Sequence, residues 1–237
     1  MRELPAAAPP GERAVGQLIA ETIRSYGDHF WRVLPVGLPL AIASALISGH
    51  AINAQIAILC GFAPLFSAAY VHASLVALDL KGVPRRRILF ATVLGIVIWL
   101  PAPVLLRAYV LPMFVWLAFF GLAVPAALTE RLGARAAIAR GRRLATADFV
   151  HALGALCGLL VVVVLSAGVL SALLHGQGES TRRVASFLAL LVLSPLLYLG
   201  PALLYTDQEA RVGVRRLRRR RRRSSDLDAD AAGRAEP

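Results

Sequence analysis

The chain has 237 residues, 57% of them hydrophobic and 17% charged, with a formal net charge of +12; an ordinary soluble domain carries about 25% charged residues. All 40 Asp, Glu, Lys and Arg residues lie outside five charge-free stretches, residues 33–78, 88–106, 108–129, 149–178 and 184–206, which together hold 140 residues. A bilayer core takes about 20 apolar residues of helix to cross, so the 46-residue first stretch can span twice and the others once each. A soluble globular domain is excluded, and no separate soluble catalytic domain fits.

Residues 1–11 contain Pro5, Pro9, Pro10 and a run of alanines. They lack the apolar core of a signal peptide and predict a disordered leader. Next, Val15, Leu18, Ile19, Ile23, Tyr26 and Phe30 recur at helical spacing, with Arg13, Gln17, Glu21, Arg24 and Asp28 on the other face. This pattern predicts an amphipathic helix in the headgroup plane, with Trp31 in the aromatic belt.

Residues 12–210 read as an all-α, polytopic membrane domain. Gly49, His50, Asn53 and Gln55 interrupt the first stretch. The six expected spans are therefore residues 33–49, 56–78, 88–106, 108–128, 149–174 and 184–205. Pro35 and Pro39 leave the start of the first span free to slide. Spans three and four are separated only by Arg107, so a re-entrant hairpin is the alternative there. Pro64, Pro101, Pro103, Pro125, Pro195 and Pro201 lie within spans, where each removes a backbone hydrogen bond. Static packing and a cavity between kinked helices are both open readings. Residues 20–40 align with 139–159 at five identities, among them Arg24 with Arg143 and Phe30 with Phe149. Two similar approaches to membrane helices explain that likeness as simply as an internal repeat does.

Of the 26 Lys and Arg residues, 23 fall in the segment ahead of the first span, the second and fourth connections and the tail, against Arg107, Arg182 and Arg183 on the opposite side. Positive loops are retained in the cytoplasm, so both termini are expected there. Residues 211–237 should form a disordered tail, basic and then acidic. Within it Arg215, Arg216, Arg218, Arg219, Arg220, Arg221, Arg222 and Arg223 are placed to meet anionic lipid headgroups. Without interleaved aromatics, that block does not suggest nucleic acid.

Three segments carry a family resemblance. Residues 20–31 (AETIRSYGDHFW), residues 124–144 with Glu130 followed by a basic helix, and the closing Leu204-Tyr205-Thr206-Asp207 with Arg211 resemble a group of bacterial six-helix membrane proteins. The group includes the membrane domain that precedes the catalytic barrel in some glycerophosphoryl diester phosphodiesterases. The resemblance covers roughly residues 15–211 and implies a six-helix membrane fold. No catalytic barrel follows the last span, so hydrolytic activity is not implied.

Chemistry-bearing residues are sparse. His29, His50, His72, His151 and His175 are scattered, and no nucleophile turn or phosphate-binding glycine loop occurs. Cys60 and Cys157 lie in apolar stretches, as small hydrophobes do. No catalytic residue, cofactor or metal site is expected. Glu130, Arg131, Asp207 and Arg211 form a possible helix-end clamp between spans four and six. His72 beside Tyr70 is a possible intramembrane polar site, against the plainer reading of an imidazole bonded to a neighbouring helix. The expected role is an accessory or organising membrane component that acts through lipids or a membrane protein partner. A permease or lipid-handling transporter with a cavity between kinked helices is the alternative.

Overall fold

In hydrocarbon every backbone amide must find its partner within the protein, and a helix achieves this inside one segment. All regular elements among the described residues of the computed structural model are helical. The structure describes residues 9–174 and 176–233, with only the helical backbone given for Ala108 and residues 216–233.

Helix α1 (Val15–Asp28) leads to α2 (Phe30–Val33), a 3-10 turn (Leu34–Gly37) and α3 (Leu38–Ile47). Next come α4 (Ile52–Gly61), α5 (Ala63–Ala77), α6 (Arg85–Trp99), α7 (Ala102–Ala108), α8 (Val110–Phe120) and α9 (Ala123–Thr129). The chain ends with α10 (Ala134–Ala147), α11 (Phe149–Leu173), α12 (Glu179–Leu193) and α13 (Pro195–Gly233). Five continuous segments are long and apolar enough to cross a membrane: Phe30–Ile47, Arg85–Arg107, Val110–Thr129, Phe149–Leu173 and Glu179–Arg215. The pair Ile52–Gly61 and Ala63–Ala77 makes a sixth if counted as one segment bent by 47° at Pro64.

Proline sets most of the breaks. Pro35 and Pro39 give the first segment its 3-10 turn, and Pro101 and Pro103 separate α6 from α7. Pro195 opens α13. The first segment begins three residues before the expected start, because Phe30 and Trp31 coil ahead of the prolines.

The centre is built by α5, which packs on α6 and α13, while α11 packs on α8, α12 and α13. α3 lies against α12 so closely that a Cβ on Gly37 would overlap the Leu191 carbonyl oxygen. The remaining aliphatic surface runs in stripes of spacing four: Leu89, Val93 and Val97 on α6, and Val161, Leu165, Val169 and Leu173 on α11. Residues four apart share one helix face. Such stripes would be a liability in water, and they match a hydrocarbon surround.

Two expectations change. The buried face of α1, Leu18, Thr22 and Tyr26, lies against α11 and α13, so other helices cover it rather than acyl chains. Burial pushes the Tyr26 phenol up, and its hydroxyl has no hydrogen-bond partner among the described residues. The backbone is also helical through Gly233, where the sequence predicts disordered chain. Arginine is a good helix former and the helix is already nucleated by the preceding span, so propagation is inexpensive. Residues 1–8 of the expected leader lie outside the described residues. Residues 9–11 make a turn held in place, as described next.

Candidate functional site: a polar end and an apolar cavity

The bundle end that carries α1 and α10 contains most of the buried polar side chains. Asp207 on α13 is completely buried. Its Oδ1 accepts the Gly11 amide at 2.8 Å, and its Oδ2 accepts Arg211 Nε at 2.8 Å and His151 Nε2 at 3.1 Å. Arg211 uses its other two nitrogens as well, donating to Asp148 Oδ2 at 2.8 Å and to the Arg13 carbonyl at 2.6 Å. Asp148 also caps α11 by accepting the His151 amide, and its carbonyl accepts Gln208 Nε2 at 3.2 Å. Gly11 has φ +95°, and a Cβ there would press on Ala210. One carboxylate and one guanidinium thus tie α13 to α11 and to the segment ahead of α1.

A second network joins α9, α10 and α13. The Tyr205 hydroxyl, on a side chain only 1% exposed, donates to Glu130 Oε1 at 2.9 Å and lies 2.8 Å from Thr129 Oγ1. Arg140 donates to the same Glu130 oxygen at 2.6 Å and to Glu209 Oε1 at 3.3 Å. Burial works against the Arg140 charge, but the hydrogen bond and charge of Glu130 outweigh it and hold the guanidinium pKa above its usual value.

The charges of Glu130 and Arg131 do not pair with those of Asp207 and Arg211 as expected. Glu130 meets Tyr205 and Arg140, and Asp207 with Arg211 meets α11 rather than α9. Arg131 joins neither network. It takes a left-handed conformation, φ +54°, at the stop of α9, where such a residue ends the helix.

His72 and Tyr70 do not form one site. Two residues apart on a helix they point to nearly opposite faces. The exposed His72 places Nε2 2.9 Å from the Arg32 carbonyl, which can only accept, so Nε2 carries the hydrogen. In the 3-10 turn the partner of that carbonyl would be Pro35, which has no amide hydrogen. This is the plainer reading of His72. The Tyr70 hydroxyl instead turns inward and donates to the Gly121 carbonyl at 3.1 Å. Of the tail arginines, Arg215 is exposed and helical, and the side chains of Arg216 and of Arg218 to Arg223 lie outside the described residues.

A cavity of about 370 Å³ lies among the helices, with Pro103 and Pro201 in its wall; the prolines leave such a cavity open as a reading, without its lining. All six apolar segments contribute to it: Leu40 from the first, Phe66 and Tyr70 from the second, Trp99 and Pro103 from the third, Met113 and Phe114 from the fourth, Leu156 and Leu160 from the fifth, and Tyr198 and Pro201 from the sixth. No charged residue lines it. Phe66, Tyr70 and Tyr198 gather around Trp99 at centroid distances of 5.9, 6.5 and 5.8 Å, forming an aromatic part of the wall. Comparisons with protein-family models, with curated proteins and with solved structures find no match.

An apolar space of this size lies near the lower end of the ~300–1,000 Å³ of ligand sites. Methylene groups fill such a space well. An ion or sugar would lose its hydration there without replacement.

Proposed function

We propose that this chain is a multi-pass protein of a bacterial cytoplasmic membrane, with both termini in the cytoplasm, that acts without catalysis as an accessory component and holds a lipid hydrocarbon chain between its spans. The observation that carries this reading is the cavity: it is apolar throughout, and every apolar segment contributes to its wall. Between the two alternatives left open by the sequence, that lining favours lipid handling over permeation of a polar solute, because ions and protons need polar partners along their path.

The distribution of basic residues supports the orientation, with 23 of 26 on the side of α1, α10 and the tail. The basic stretch from Arg215 onward would draw anionic headgroups to the same face, by about 1 kcal/mol per basic side chain near the surface. The resemblance to membrane domains of glycerophosphoryl diester phosphodiesterases agrees with a lipid context. A membrane protein partner remains part of the proposal, through the tail or the exposed aliphatic stripes.

The test is purification of the full chain in mild detergent, with lipid extraction and mass spectrometry, beside the cavity-filling variants Ala102→Phe and Leu160→Trp. A long-chain molecule should be retained near one per chain by the wild type and lost from folded variants. Equal retention by wild type and variants would contradict the proposal.

A further inference from the structure

Two residues of the cavity wall, Tyr198 and the partly buried Trp99, carry polar atoms that the fold leaves unused. Tyr198 is 2% exposed and lines the cavity with Trp99, their ring centroids 5.8 Å apart. Neither the Tyr198 hydroxyl nor the Trp99 indole N–H has a hydrogen-bond partner among the described residues. Elsewhere this fold does satisfy such groups: Tyr70 donates to Gly121, and Trp116 Nε1 donates to the Ile98 carbonyl at 2.9 Å. A buried tyrosine or tryptophan normally finds a partner for its polar atom, because a donor left unmade in apolar surroundings is costly.

We infer that the cavity recognises an uncharged, carbonyl-bearing long-chain molecule, whose carbonyl oxygen accepts hydrogen bonds from Tyr198 and Trp99. The inference rests on the reading of the cavity as a hydrocarbon-chain site and names the polar group that such a chain carries. An indole N–H can only donate, so the complementary atom is an acceptor. The acceptor is uncharged, because a buried anion would need a counter-charge and none lines the cavity. The faces of Phe66 and Tyr70 beside Trp99 suit a flat, conjugated or ester group. Leu106, Val110 and Val164 line the cavity and are 40%, 48% and 56% exposed, so they give the tail a way out toward the surround.

The carbonyl chemistry has two sources, the ester of a glycerolipid and the ring of a quinone. Three probes separate them: a medium-chain monoacylglycerol, a decyl-tailed benzoquinone and an n-alkane of matching length. Each is titrated into the full chain in detergent and binding is followed as a rise in unfolding temperature. The wild type should bind one or both carbonyl probes. Tyr198→Phe and Trp99→Phe should each weaken binding of the carbonyl probes relative to that of the alkane by about three- to tenfold, as loss of one neutral hydrogen bond does. Loss with only one carbonyl probe assigns the source. Variants that bind all three probes as the wild type does overturn carbonyl recognition while the chain site stands. Failure of every probe, the alkane included, overturns both.

Discussion

The two regions of this bundle handle buried polarity in opposite ways. At the basic end, Asp207, Arg211, Asp148, Glu130, Arg140 and Tyr205 are paired within the fold, while Tyr26 Oη and Gln208 Oε1 have no partner among the described residues. The cavity wall carries three side-chain donors among apolar groups: Tyr70 donates to Gly121, and Tyr198 and Trp99 have no partner among the described residues. A satisfied network stiffens the helices it joins, whereas an unsatisfied pair awaits a ligand. Position alone would not reveal this difference; the hydrogen-bond partners do.

The largest effect should come from Asp207→Ala. It removes the carboxylate that faces Arg211, His151 and the Gly11 amide. Breaking a buried pair costs on the order of 3–5 kcal/mol, so the unfolding temperature in detergent should fall sharply, and the segment ahead of α1 should become accessible to protease. Tyr205→Phe should cost less, about 1.5–3 kcal/mol for a hydrogen bond to a charged group, read by the same assay.

Packing gives a third contrast. Ala126 is 0% exposed in the basic half and Ala102 is 3% exposed beside the cavity. Ala126→Leu should destabilise by about 1–3 kcal/mol through overpacking, while Ala102→Leu should be nearly neutral because the added methyls have space. Equal penalties would mean that the cavity is no softer than the core. The smallest effect belongs to Glu209→Ala. Its carboxylate is 47% exposed and only one of two partners of Arg140, so the change should stay under about 1 kcal/mol.

The charge-free stretches locate the apolar helices well, because hydrocarbon tolerates neither charge nor open backbone over a fixed length. Expected residues 149–174 and observed Phe149–Leu173 agree almost to the residue. The pair Asp207 and Arg211 is visible at a spacing of four, but Asp148 lies 63 residues from Arg211, and only the packing of α11 on α13 unites them. Tyr205 stands in the closing motif that carries the resemblance, but its spacing does not tell that its hydroxyl holds Glu130. Grouping His72 with Tyr70 ignored helical spacing, a signal that was available. A cavity between kinked helices is one open reading of the prolines, but its lining is not legible there, because the space left between six helices depends on which side chains face inward.

The most direct test of the central claim is photo-cross-linking of the full chain in bilayers with a lipid carrying a diazirine in its tail, with labelled residues mapped by mass spectrometry. The account predicts saturable labelling of the inward-facing Ala102, Met113 and Leu160, competed by unlabelled lipid and abolished in Leu160→Trp. Labelling confined to outward-facing positions such as Leu89, Val161 and Val169, and not competed, would show that lipid merely surrounds the bundle and would contradict the account.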